Sequence, residues 1–249
     1  MILGSHVSCA GGFAKAVERA TKLGCDCVQI FVSNPPRQWP VLQLRPQQDA
    51  GDTLPVRGET DATQSGVWRS KPLQEKNVSG WHEAISSSDL KYPIAHASYL
   101  INMASPKDDL FRKSVDALIV EWRRSNQLGL DGLVVHPGAF TDSSEDEGVA
   151  RIVDAVVEAM SFVEPGSCKL LLENTAGQGT CLGYTIDQLA TMLDGIGCDA
   201  RVGVCLDTCH AFAAGYEINS AVGFADFRKQ ITDMLPVGAI RALHLNDSK

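Results

Sequence analysis

The stretch V-G-V-C-L-D-T-C-H-A-F-A-A-G-Y, residues 202–216, decides how the rest of the chain is read. Val202, Val204 and Leu206 form a short, β-branched apolar run of the kind that suits a buried parallel strand. The run ends on Asp207, and His210 follows three residues later as the chain turns into small helix-forming residues. A carboxylate at a strand tip with an imidazole three positions on offers the oxygen and nitrogen donors that a divalent metal such as zinc takes. An N-cap aspartate beside a surface histidine would account for the same residues, so the pair alone does not settle its role.

Outward from this stretch the same unit recurs. Apolar runs at 2–7, 27–32, 92–95, 132–135, 169–172, 202–206 and 240–243 read as strands. Helical spacing fills 13–23, 72–86, 108–128, 145–163, 186–193 and 224–235 between and after them. Strands alternating with helices imply a parallel sheet with crossover connections, either doubly wound or closed into a barrel. The polar residues at the strand ends separate the two. His96, His136, Glu173, Asp207 and His244 each follow an apolar run. A barrel gathers its C-terminal strand ends around one mouth, whereas an open sheet spreads them along an edge. The expected fold is therefore an α/β (β/α)8 TIM barrel in a single domain over 1–249, incomplete, with seven strands and the eighth β/α unit missing. Residues 42–75 are polar, turn-rich and without period, and are expected to form a disordered insertion.

Composition narrows the class. At 44% hydrophobic and 21% charged, the 249 residues have ample material for a core. No apolar run reaches the length of a membrane span, and no secretory signal opens the chain. Eight cysteines without a C-x-x-C pair, several inside strand-like runs, point to reduced thiols in an intracellular protein. A net charge of −8 argues against a simple basic nucleic-acid-binding domain, but leaves room for bound cations that put positive charge where phosphate would sit.

Each candidate has a plain alternative. One histidine after a strand is more often a satisfied core residue; three of them with Glu173 and Asp207 around one barrel mouth favour metal ligation. Glu173 follows Leu170, Leu171 and Leu172, so it lies at the rim of an apolar core and needs a salt bridge or a metal. His6, at the first strand tip, reads as a structural group behind the ligands, and His82 as a solvated helix residue. Tyr99, beside His96, and the loop Arg37-Gln38-Trp39 are either ordinary surface or a contact surface for bases and phosphates. The glycine-rich run Thr175–Gly179 matches no phosphate-loop pattern.

Several stretches resemble the endonuclease IV family of apurinic/apyrimidinic endonucleases. They are H-V-S-C-A-G-G at 6–12, P-R-Q-W at 36–39, H-A-S-Y-L-I-N at 96–102, H-P-G at 136–138, E-N-T-A-G-Q-G at 173–179, D-T-C-H-A-F-A-A-G-Y at 207–216 and H-L-N-D-S-K at 244–249. The resemblance implies a monomeric hydrolase of base-excision repair whose partner is double-stranded DNA containing abasic sites. It would cut the phosphodiester 5′ to the lesion at a site of three Zn2+ ions. It further implies that His96 and His136 hold one zinc. Glu173, the catalytic carboxylate, would bridge that zinc to a second, also held by Asp207 and His244. His210 would serve a third, and Arg37, Gln38 and Tyr99 would contact DNA. Two departures stand out: the long segment after Trp39, and the lack, within these 249 residues, of a later D-x-H segment and final glutamate-tipped strand. Reduced or absent activity is expected on that ground. A metal-dependent sugar isomerase or epimerase, and an inactive DNA-binding remnant, are the alternatives.

Overall fold

The computed structural model describes residues 2–33 and 72–247. Seven strands are present among them: β1 (Gly4–His6), β2 (Cys27–Ile30), β3 (Ile94–His96), β4 (Gly132–Val135), β5 (Lys169–Glu173), β6 (Val202–Asp207) and β7 (Ile240–His244). Helices α1 (Phe13–Lys22), α2 (Glu75–Ser86), α3 (Asp108–Gln127), α4 (Glu145–Phe162), α5 (Ile186–Gly195), α6 (Thr208–Ala213) and α7 (Ala221–Met234) fall between them. The strands form one parallel sheet in sequence order from β1 to β7. That is the TIM-barrel arrangement, curled far enough that His244 on β7 touches Gln29 on β2.

The helices cover the outer face because their apolar stripes match it. Val115, Leu118, Ile119 and Trp122 on α3 and Ile152, Ala155, Val156 and Ala159 on α4 are buried with Leu133, Val135, Leu170 and Leu172 in one large core. Trp81 of α2 and Trp122 are buried without stranding their indole N–H groups, which donate to the carbonyls of Leu128 and Cys168. A second, smaller cluster of Val134, Leu171 and Cys205, with Ile94 and Ala242 against it, fills the inner face.

That inner cluster fixes where the site must lie. Side chains on a strand alternate between faces, so the residues two positions beyond Ile94, Val134, Leu171, Cys205 and Ala242 also point inward. These are His96, His136, Glu173, Asp207 and His244. Strands β3, β5, β6 and β7 end one residue later than their apolar runs suggest, so four of the five residues are the last in their strands, whereas β1 and β2 end earlier than expected, at His6 and Ile30. Only His136 lies just beyond its strand. The short helix α6, capped by Asp207 accepting from the His210 N–H at 2.8 Å, was not resolved as an element in the sequence. The expected insertion lies outside the described residues except for 72–75, where Leu73 packs against the core and Glu75 begins α2.

Candidate metal centre

Glu173 sits in the middle of the mouth, 1% exposed, with its carboxylate surrounded by imidazoles. Oε2 lies 3.1 Å from Nε2 of His96 and 3.1 Å from Nε2 of His136. Oε1 lies 2.7 Å from Nδ1 of His244 and 3.6 Å from Nδ1 of His210. Asp207, equally buried, approaches Nδ1 of His244 at 3.7 Å and Nδ1 of His210 at 3.9 Å. Among the described residues, three groups have donor atoms close enough to share an ion: His96, His136 and Glu173; Glu173, Asp207 and His210; and Glu173, Cys205 and His244. Glu173 belongs to all three.

The hydrogen bonds of these rings to backbone carbonyls decide which nitrogen carries the proton. A neutral imidazole has one N–H. Nδ1 of His96 is 2.7 Å from the Ala97 carbonyl, and Nδ1 of His210 is 2.8 Å from the Asn174 carbonyl. A carbonyl only accepts, so each proton is held on Nδ1. Nε2 of His96 therefore turns a bare lone pair toward Glu173. Such an arrangement is repulsive unless the ring gains a second proton or a cation lies between them. No lysine or arginine pairs with Glu173 among its ion contacts in the described residues. Oxygen and nitrogen donors converging without a resident cation fit a divalent metal.

The electrostatics agree with that balance. Burial alone would push the Glu173 carboxyl up, but the hydrogen bonds with His136, His244 and His96 outweigh it and hold the group far below the usual carboxylate range. Burial disfavours a charged His244, yet Glu173 and Asp207 raise its pKa overall. His6 goes the other way, lowered to about 4 by burial and by the neighbouring charges of His96 and His244.

Asp207 is held from both sides. Its backbone N–H donates to Oδ1 of Asn174 at 2.6 Å, Nδ2 of Asn174 donates back to its carbonyl at 3.1 Å, and Asn246 donates to its carboxylate. Beyond the histidines, Tyr99 rises at the rim, 63% exposed, its ring centroid 5.1 Å from that of His96 and 5.8 Å from that of His136. A cavity of about 330 Å³ opens beside it, lined by Tyr99, Asn102, His136, Gly138, Gln178 and His210 among others.

All six expected metal ligands are thus gathered at one mouth, and Tyr99 stands beside them. Arg37 and Gln38 lie outside the described residues. His6 is absent from the three donor groups and instead contacts Gln29, Nδ1 to Nε2 at 3.0 Å. His82 lies on the outside of the barrel against the Gln127 carbonyl. Two residues were missed in the sequence, Gln29 and Asn174. The signal for Gln29 was a lone glutamine inside the apolar run of β2; Asn174, directly after Glu173, carried none beyond its polarity.

Comparison with known proteins points one way. Residues 57–249 match the family model described as the xylose isomerase-like TIM barrel. A probable endonuclease 4 of Halothermothrix orenii is 36% identical over 249 residues, covering all of this chain and 78% of the relative. The crystal structure of endonuclease IV from Thermus thermophilus superposes with a TM-score of 0.75 at 30% identity, over all of this chain and 77% of that one. A D-tagatose 3-epimerase-like protein also superposes, over 97% of this chain and 75% of that one, with a TM-score of 0.65 at 18% identity, a likeness of fold alone. The chain belongs to the endonuclease IV family, within the xylose isomerase-like TIM barrels.

Proposed function

We propose that the chain is a zinc-dependent phosphodiester hydrolase that cuts double-stranded DNA 5′ to abasic sites in base-excision repair, working as a monomer. The observation that carries this is the placement of Glu173, a buried carboxylate whose ion contacts in the described residues are four imidazoles, with no lysine or arginine among them. The names of the relatives supply the substrate class: at 34–36% identity over nearly the whole chain they are probable endonucleases 4. The epimerase alternative rests on likeness of fold only.

His96, His136 and Glu173 would hold one zinc; Glu173, Asp207 and His244 a second; and His210 a third. The ions would supply Lewis-acid charge at the scissile phosphate and lower the pKa of water there. The protein's own contribution is placement. Glu173 and Asp207 set two carboxylates among the imidazoles, the carbonyls of Ala97 and Asn174 aim two of those rings, and buried strands hold all of them rigidly. Tyr99 presents an aromatic face beside the centre, where a base or sugar displaced from the duplex would stack. The cavity between Tyr99, His136 and His210, about 330 Å³, falls within the range of small-molecule sites. Arg37 and Gln38 would add contacts to the DNA backbone.

Among the described residues His210 shares its potential ion only with Glu173 and Asp207, both of which also face His244. A third ion would be held weakly, so incision is expected to be slow. The test is incubation with a duplex carrying one abasic site, with zinc present, beside an undamaged duplex. Slow cutting 5′ to the lesion and none of the intact duplex is expected. Equal cutting of both, or none of either by zinc-loaded protein, would contradict the proposal.

A further inference from the structure

We propose that Gln29 selects the imidazole tautomer of His244 and thereby reserves Nδ1 of that ring for the metal; this rests on the metal-centre reading above. Gln29 is 9% exposed on β2, in register with His6 on one side and Ile94 on the other, and so faces into the barrel. A glutamine here costs stability unless both ends of its amide are bonded. They are. Oε1 lies 2.8 Å from Nε2 of His244, and Nε2 lies 3.0 Å from Nδ1 of His6.

The pattern around His96 and His210 explains why a glutamine stands there. His96 has its far nitrogen, Nδ1, tied to the Ala97 carbonyl, and His210 has Nδ1, the nitrogen nearer Glu173, tied to the Asn174 carbonyl; a carbonyl cannot donate, so each bond fixes a tautomer. His244 is turned the other way from His96, with Nδ1 toward Glu173 at 2.7 Å and Nε2 directed across the mouth to β2. The acceptor for its far nitrogen has to come from a side chain on that strand, and the Gln29 carbonyl supplies it. With Oε1 accepting from Nε2–H, Nδ1 keeps a free lone pair toward the carboxylates. With the amide reversed, Nε2 of His244 would accept and its proton would move to Nδ1, where it would occupy the ligand position and bind Glu173 directly.

His6 biases the choice. In the metal-competent orientation the amide NH2 donates to Nδ1 of His6, which must then be unprotonated at that nitrogen. The three residues form a chain from β7 through β2 to β1, and loading Nδ1 of His244 fixes the proton positions along it. A positioning residue of this kind acts on ligand geometry and basicity, and removal of such partners typically costs about 10–100-fold in metal affinity.

The test compares the wild-type protein with Gln29→Leu and Gln29→Glu in zinc competition against a chromophoric chelator, and reads the His244 tautomer by 15N NMR in the zinc-loaded wild type. Gln29→Leu, which keeps the bulk but offers no acceptor, is expected to bind zinc about 10–100-fold more weakly. Gln29→Glu still accepts from Nε2–H and is expected to stay within about threefold of wild type. The loaded wild type is expected to carry its proton on Nε2 of His244. A proton on Nδ1, or zinc affinity unchanged by Gln29→Leu, overturns the proposal. Wild-type protein that binds no zinc overturns the metal-centre reading itself, a result distinct from either. If Gln29→Leu does not fold, Gln29→Met, which also offers no amide acceptor, takes its place in the zinc competition with the same expected loss and the same overturning result.

Discussion

Nε2 of His96 faces Oε2 of Glu173 across 3.1 Å while its Nδ1, 2.7 Å from the Ala97 carbonyl, already holds the ring's one proton. Two acceptors pointed at each other in a buried site are stable only with a positive charge between or upon them. The same tension recurs at His244, so it is a property of the site and not of one ring.

The first consequence concerns Glu173. Glu173→Gln preserves shape but replaces a shared anionic ligand with a neutral amide. Loss of at least one zinc per chain is expected by metal analysis, with the fold retained by circular dichroism. Full zinc content in the variant would mean that the imidazoles do not depend on this carboxylate.

Tyr99 offers a test of substrate contact separate from metal binding. Stacking of a base on an aromatic side chain contributes about 1–3 kcal/mol, so Tyr99→Ala is expected to weaken binding of an abasic duplex by about 5–150-fold. Tyr99→Phe should bind nearly as wild type, because the ring and not the hydroxyl carries the contact. Zinc content should be unchanged in both. Fluorescence anisotropy reads the affinities, and equal affinity of Tyr99→Ala and wild type would remove Tyr99 from the DNA surface.

Glu121 gives a pH dependence of stability away from the ligands. It is buried on α3, accepts from the Ser98 N–H at 3.2 Å, and is pushed up to about 7 by burial, against the opposing effects of that hydrogen bond, Arg124 and Ser33. A carboxyl whose folded pKa lies above its unfolded value binds its proton more tightly when folded. Its stabilising contribution is therefore complete below about pH 4.5 and lost as pH rises through about 7. The loss is at most about 3 kcal/mol. Glu121→Gln should remove this dependence and be the more stable protein at pH 8 in urea melts. Parallel stability curves for the two proteins between pH 5 and 8 would refute this.

Gly138 closes the H-P-G turn with φ +121°, and a Cβ there would meet Oδ1 of Asn102 at 2.3 Å and the backbone N of Ala104 at 3.0 Å. Asn102 cannot yield freely, since Oδ1 accepts from Ala104 and Ala139 N–H groups and Nδ2 donates to the Ala139 carbonyl. Gly138→Ala is expected to lose about 2–4 kcal/mol in thermal or urea unfolding. It should also weaken zinc binding through His136, two residues away. A loss below about 1 kcal/mol would show that the turn relaxes.

How much of this was legible in the sequence depended on whether a signal was local. The parallel strands were, because runs such as Leu170–Leu172 are apolar on both faces, and a polar residue at their ends marks the rim. Glu173 and the strand-tip histidines were found that way. The ends of β3, β6 and β7 were placed a residue short because His96, Asp207 and His244 break the apolar run while still paired in the ladder. Those of β1 and β2 were placed too far along because Val7, Phe31 and Val32 continue the apolar run past the last pair. Gln29 was missed because its partners are 23 and 215 residues away, a distance only register and curl can close. The part played by Asn174 was hidden for the same reason, since its amide bonds Asp207 33 residues on.

Zinc content per chain by native mass spectrometry, for wild type and His136→Ala, tests the central claim most directly. Wild-type protein is expected to retain at least one zinc after dialysis against metal-free buffer. His136→Ala is expected to lose the ion shared by His96 and Glu173. Wild-type protein free of zinc, or a variant with unchanged zinc, would contradict a metal centre built around Glu173.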